Sequence, residues 1–195
     1  MSELFPQPGV DGLILLPDFI DTDVEGELIA LVDSTKADAS LQRRTWHFGS
    51  RYDYASSSLS LEPGLPIPEL LDDLGRRLVQ QGVFDRVPDQ VLVNEYVSTA
   101  GKRQGIAPHR DRTDIFGDVV VTVSLLESWM MRFTKSDTEK VDVLLPRYSA
   151  VVLGGPARFE WLHEIQPRLH DRVGGVRVRR HRRVSVTFRT LKVVK

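Results

Sequence analysis

From residue 90 to its end the chain is written almost wholly in short β-rich segments, and this is its strongest constraint. QVLVNEYV, DVVVTVSLL, WMMRFT, KVDVLLP, SAVVLGG, ARFEWLH and RRVSVTFRTLKVV follow one another, with turns at spacings of roughly 8–15 residues, a series that indicates an antiparallel sandwich or barrel. The N-terminal half reads differently. GLILLPDFI (12–20) is a short strand running into a turn, and residues 22–34 carry apolar side chains at helical spacing behind an Asp cap, which predicts a helix. RRTWHFGSRYDY (43–54) is an aromatic-rich strand or loop pair, and SSSLSLEPGLPIP (56–68) is loop-like. PELLDDLGRRLVQQG (68–82) predicts a second amphipathic helix, with Pro near its start and Gly at its end. The expected fold class is α+β, two N-terminal helices buttressing a C-terminal jelly roll. The 195 residues suit a single domain, with about 1–89 carrying the helices and about 90–195 the β core.

Composition removes several function classes. The chain has no cysteine, so disulfides, zinc–thiolate sites and thiol nucleophiles are excluded, and a reducing cytoplasm (or nucleus) is the natural setting. No apolar run approaches the ~20 residues that span a bilayer, and MSELFPQPGVDG lacks the basic and apolar regions of a secretory signal. No membrane partner is expected. Formal net charge is −1, which argues against broad phosphate neutralisation. Positive charge collects in RVRRHRR (177–183), so any nucleic-acid contact is local, drawn from Arg43, Arg44, Arg51 and the Arg177–Arg183 stretch.

Chemistry gathers around few residues. His109 and Asp111 form an H-x-D pair. On a strand, residues two apart project from one face, so an imidazole and a carboxylate converge there. A third ligand must come from elsewhere, and His163, after FEW at the end of an expected strand, is the candidate; a chance H-x-D pair and a partly buried structural histidine are the plainer alternative. Two His and one carboxylate on one side of a metal form the facial triad suited to Fe(II), while zinc with a hydrolytic site also fits these ligands. Arg183 and Arg189 lie six apart in RVSVTFR and face one side of a strand, with Cα atoms ~20 Å apart at about 3.3 Å per residue. Pointed towards each other, two guanidinium forks leave a gap for a short diacid; a solvated basic strand is the plainer alternative. Asn94 and Tyr96 add polar tips on one face of VLVNEYV, either for the same diacid or as ordinary core polar groups.

Together these strings resemble the AlkB family of 2-oxoglutarate/Fe(II)-dependent dioxygenases. N-E-Y, PHRD, VTVSL, LLPRYSAVVLGG, WLHEI and RRVSVTFR keep the family's order from Asn94 to Arg189. The resemblance implies a double-stranded β-helix with an N-terminal nucleotide-recognition lid. It places the iron on His109, Asp111 and His163 and the 2-oxoglutarate on Asn94, Tyr96, Arg183 and Arg189. The cofactors implied are Fe(II), 2-oxoglutarate and O₂. The implied reaction is oxidative demethylation of N-alkylated bases in DNA or RNA, of the dealkylation-repair type. Hydroxylation of a modified tRNA base is the alternative within the family, which HFGSRYDY, LPRYSAVVLGG and ARFEWLHEI favour; a protein or small-molecule substrate is the other. The partner is a flipped or single-stranded base, since a base stacked in a duplex cannot reach such a pocket. Trp46, Tyr52 and Tyr54 are the candidates to stack on it, with core packing as their alternative. The protein is expected to be a monomer. Two positions depart from the family: Thr113 stands where repair members keep an acid, and Glu164 replaces the Gly that usually follows the distal His.

Overall fold

The computed structural model describes residues 5–6, 9–38, 42–52 and 61–192. In chain order the elements are β1 (Phe5–Pro6), β2 (Leu13–Leu16), α1 (Thr22–Ser34), β3 (Thr45–Tyr52), β4 (Leu61–Pro63), α2 (Glu69–Gln80), β5 (Gln90–Val97), β6 (Ile106–His109) and β7 (Phe116–Leu125). Then come β8 (Trp129–Thr134), β9 (Lys140–Leu145), β10 (Ala150–Leu153), α3 (Gly155–Phe159), β11 (Leu162–Ile165), β12 (His170–Val173), β13 (Val176–Arg179) and β14 (Arg182–Leu191). The major sheet runs β1-β2-β10-β7-β14-β5-β3-β4 and the minor sheet β6-β11-β8-β9, while β12 and β13 pair separately as a hairpin. All the paired strands are antiparallel, as in a jelly roll.

Alternation along the central strands creates two interiors. On one face of the major sheet Val91 and Val93, Val121 and Val123, and Val184, Val186 and Phe188 form a core with the helices. The two helices meet that face for reasons visible in their sequences. Asp21 caps α1, its carboxylate accepting from Val24 N at 2.9 Å, and Leu28 and Val32 four apart turn one stripe inward. In α2, Leu71, Leu74 and Leu78 do the same behind Pro68. The other face looks towards the minor sheet across Val120, Met131, Phe133, Val151, Leu153 and Ile165. That interior holds the polar inward residues of β5 and β14, and the candidate site is there.

The sequence and the structure differ at three places. ARFEWLH is not one strand: Gly154, Gly155 and Pro156 start a short helix, α3, with Pro in its first turn, and the strand begins only at Leu162. SSSLSLEPGLPIP contains the short β4 in its middle. The N-terminal half is built into the sheet, because β2 pairs with β10 and β3 with β5. The lid expected of residues 46–54 falls partly outside the described residues. What is described there, up to Tyr52, is β3. Among the described residues no helix is long and apolar enough to cross a membrane.

Candidate active site

His109 is the last residue of β6, and it lies directly across the ladder from His163 of β11. Their rings sit 4.3 Å apart. Asp111 is not on the strand, contrary to what alternation alone suggests. It lies in the loop that follows β6, and a different device turns it inward. Arg158 of α3, buried, donates to the carbonyl oxygens of Asp111 (2.8 Å), Arg112 (3.2 Å) and Gly117 (3.2 Å). The loop is thereby wrapped around a guanidinium, and the Asp111 carboxylate faces the two imidazoles. Oδ2 of Asp111 is 3.8 Å from Nε2 of His163, and one ligand atom from each of the three residues lies within 4.8 Å of the others.

The donor set fits iron. Nδ1 of His109 lies 2.8 Å from the carbonyl of Ala107; a carbonyl only accepts, so Nδ1 carries the proton and Nε2 presents its lone pair. Burial pushes the His163 imidazole down to about 3, so the ring is neutral at physiological pH. Burial alone would raise the Asp111 carboxyl, but the groups around it, Arg189 foremost, followed by the two imidazoles and Arg158, together outweigh burial and hold that carboxyl below the ordinary range. Two imidazoles and a carboxylate meet on one side of an open pocket, the arrangement of a non-haem Fe(II) triad.

The 2-oxoglutarate fit rests on a buried charge. Arg183 is fully buried. Its only hydrogen bond among the described residues is from Nη2 to Ser124 Oγ, at 2.8 Å, and its Nε donates to nothing. The guanidinium also lies over the Tyr96 ring, 5.8 Å from its centre. Burial lowers it to about 10, still well above neutral, so it is a charged group held out of water without a carboxylate. Such a group is costly unless an anion completes it. Arg189 differs: Nη2 donates to Oδ1 of Asp111, and Nη1 to Gln90 Oε1 at 2.9 Å. The two arginines of the expected clamp are therefore in different states, one bound to the Asp111 carboxylate and the other meeting no carboxylate. Asn94 and Tyr96, both buried, line the same pocket, with Asn94 Oδ1 accepting from Arg43 Nε at 2.8 Å.

The pocket, about 520 Å³, is walled by Leu92, Ile106, Met131, Val151 and Leu153 and reaches Arg43, Arg110 and Arg112 at its edge. Glu164 points away from it, across the ladder from Arg132, so the change from the family's Gly does not intrude. Thr113 is exposed. Trp46 is elsewhere. It is buried in the helix-side core, and its indole N–H donates to Thr35 O at 2.9 Å. As the second residue of β3 it faces the helices rather than the pocket, which removes it as a stacking partner. Tyr52 ends β3, its side chain not among those described, and Tyr54 lies outside the described residues. Three residues that act on the site are missed by sequence reasoning: Arg158, Gln90 and Ser124. Each works through long-range hydrogen bonds, and only the first carries a local hint, an Arg inside an apolar segment.

Residues 31–189 match the 2OG-Fe(II) oxygenase superfamily. The uncharacterized protein L905 of Acanthamoeba polyphaga mimivirus is 29% identical over 93% of this chain and 86% of its own length. The tRNA (carboxymethyluridine(34)-5-O)-methyltransferase ALKBH8 of Macaca fascicularis is 32% identical over 88% of this chain, which spans 27% of that protein's length. The solved structure of OsALKBH1 superposes with a TM-score of 0.70 at 18% identity, covering 96% of this chain and all of that one.

Proposed function

The chain belongs to the 2OG-Fe(II) oxygenase superfamily and is of its AlkB type, and from that premise we propose that it oxidises a C–H bond carried by a nucleobase in a single-stranded or looped nucleic acid, with a modified uridine of tRNA as the preferred target. The observation that carries this reading is the pocket itself. It is larger than a five-carbon diacid requires, apolar along its wall, and edged by Arg43, Arg110 and Arg112. An apolar slot for a flat base under cations for its phosphates fits a nucleotide better than a free amino acid or a peptide side chain.

When bound together, Fe(II), 2-oxoglutarate and O₂ supply an oxidant that inserts one oxygen atom into a substrate C–H while 2-oxoglutarate leaves as succinate and CO₂. The residues of this chain orient and shield that chemistry. We assign His109, Asp111 and His163 to hold the metal. Arg189 fixes the Asp111 carboxylate so that Oδ2 stays turned to the imidazoles. Arg183, with Ser124, receives the distal carboxylate of the diacid through a charge-assisted bond, and Asn94 and Tyr96 bound the same end. Met131, Val151 and Leu153 keep water from the reacting carbon. On an N-methyl group the hydroxylated product releases formaldehyde and the bare base; on a carbon substituent of uridine the hydroxyl remains. The likeness to ALKBH8 supports the second outcome. The site is complete within one chain, which agrees with a monomer, and a tRNA substrate agrees with work in the cytoplasm.

The test is a mass gain of one oxygen atom, or formaldehyde release, measured on methylated single-stranded DNA, on RNA and on tRNA. We expect the gain on tRNA. Robust 2-oxoglutarate turnover with none of the three modified gives the site to a protein or small-molecule substrate instead.

A further inference from the structure

A second hollow, of about 600 Å³, lies beside the β12–β13 hairpin, and Arg103, Arg168, Arg172 and Arg177 dominate its lining. Its two acids are already engaged. Asp171 is buried between Arg180, at 2.6 Å, and Arg168, at 2.7 Å, and Asp142 is paired with Arg132 at 2.7 Å. Among the described residues Arg103, Arg172 and Arg179 have no carboxylate within ion-pair distance, and Arg177 reaches only Nδ1 of His170, at 3.0 Å. The basic stretch 177–183 is thus split. Arg180 is spent on Asp171, Arg182 on Glu95 and Asp33, and Arg183 on the catalytic pocket.

The hairpin makes this arrangement costly. Gly174 and Gly175, with φ of 55° and 83°, form its two-residue turn, the positive φ at both positions being that of a type I′ hairpin. The register then sets Arg172 opposite Arg177 and His170 opposite Arg179. Residues two apart share a face, so one face of the ribbon carries three arginines and an imidazole, while Asp171 points the other way into the protein. Like charges directly opposed across an antiparallel pair are destabilising, even with the ribbon anchored through Asp171. An anion lying between the arginines reverses the sign of that interaction.

The hollow also has an address. Along the β6–β11 ladder, His163 opposite His109 is followed by Ile165 opposite Ile106, and these isoleucines wall the catalytic pocket. The next residues of the same two segments, Arg103 on one and Pro167 and Arg168 on the other, line the hollow. From His163 to Arg168 the chain covers at most about 17 Å. We propose that this hollow and the arginine face of the hairpin form a phosphate-binding track, which receives the backbone of the nucleotides flanking the base in the catalytic pocket. Guanidinium forks match phosphate oxygens bidentately, and a local track suits a chain whose net charge is −1. This inference rests on the nucleic-acid reading above, and its test separates the two.

The measurement is anisotropy of a labelled single-stranded RNA with the whole chain, titrated across salt, for wild type and for Arg172→Gln/Arg177→Gln. Losing two phosphate contacts lowers the log–log salt slope by about 1.4. Between about 50 and 200 mM salt the wild type then loses about sevenfold more affinity than the variant. Substrate-free 2-oxoglutarate turnover stays the same, and the thermal midpoint stays or rises because a like-charge pair is gone. An unchanged slope and affinity overturn the track and leave the nucleic-acid reading standing. A wild type that turns over 2-oxoglutarate yet binds no RNA even at about 50 mM salt overturns both. Unchanged RNA binding with lost binding to phosphatidylserine vesicles gives the arginine face to a membrane and overturns the track as well.

Discussion

The two ends of β14 carry the same side chain in opposite states. Arg189, near its C-terminal end, is buried against Asp111 and Gln90, so its charge meets a carboxylate within the chain. Arg183, near its N-terminal end, is buried against a serine hydroxyl and a phenol ring and meets no carboxylate. The contrast suits the two different roles proposed for these arginines. A buried pair that is complete in the protein positions another residue, and a buried charge left incomplete waits for a ligand. Spacing along the strand is identical for both readings, so only the partners distinguish them.

The contrast is tested hardest at the metal. His109→Ala, Asp111→Ala and His163→Ala are each expected to abolish Fe(II)-dependent turnover, read as succinate release. They should part in stability. Asp111→Ala also strands Arg189, at a cost of about 3–5 kcal/mol in the melt, whereas His109→Ala, only partly buried, costs far less. Equal melting of the two variants would mean that Arg189 does not depend on Asp111. Next comes Arg189→Met, which strands Asp111 and should lose a similar ~3–5 kcal/mol together with iron affinity. Arg183→Met removes an unanswered charge, so stability should hold or improve while 2-oxoglutarate binds roughly 10- to 100-fold more weakly, the loss of a charge-assisted bond worth ~1.5–3 kcal/mol. Saturating 2-oxoglutarate, at about 100 times the wild-type Kd, should stabilise the wild type by about 2.7 kcal/mol and this variant, at the same concentration, by only about 0.4–1.4 kcal/mol. Arg183→Lys should fail in the same way, because an ammonium lacks the fork. A variant that loses stability and keeps its affinity would exchange the roles of the two arginines. The smallest effect is expected at the pocket's edge. Arg110→Gln should weaken oligonucleotide binding by only a few-fold, consistent with an exposed charge, and leave 2-oxoglutarate affinity unchanged by isothermal titration.

Much of this architecture is legible in the amino-acid sequence alone. β5 and β14, the helices over 22–34 and 68–82, and the order of His109, Asp111 and His163 follow from periodicity, caps and spacing, because a two-residue repeat decides which face is polar and a 3.6-residue repeat which stripe is apolar. What stays hidden depends on contacts far apart in sequence. Trp46 stands beside other aromatics, which groups it with the pocket, but its parity on β3 turns it to the helices. The H-x-D spacing puts Asp111 on a strand, yet that strand ends at His109. ARFEWLH reads as a strand because its aromatics mask the Gly-Gly-Pro that starts α3. The Gly174–Gly175 turn is a readable hairpin signal, obscured by the arginines around it.

Arg158 joins two stretches of chain that are otherwise distant. It sits on α3, just before β11 and His163, and it grips the backbone from Asp111 to Gly117. Neither stretch can open while that guanidinium keeps its carbonyls, since a buried cation deprived of all its acceptors is a high-energy state. The amides of residues 111–117 and of α3 should therefore share one opening event in hydrogen–deuterium exchange, rising and falling together with denaturant as a single cooperative unit. In Arg158→Met they should exchange independently, the loop faster than the helix.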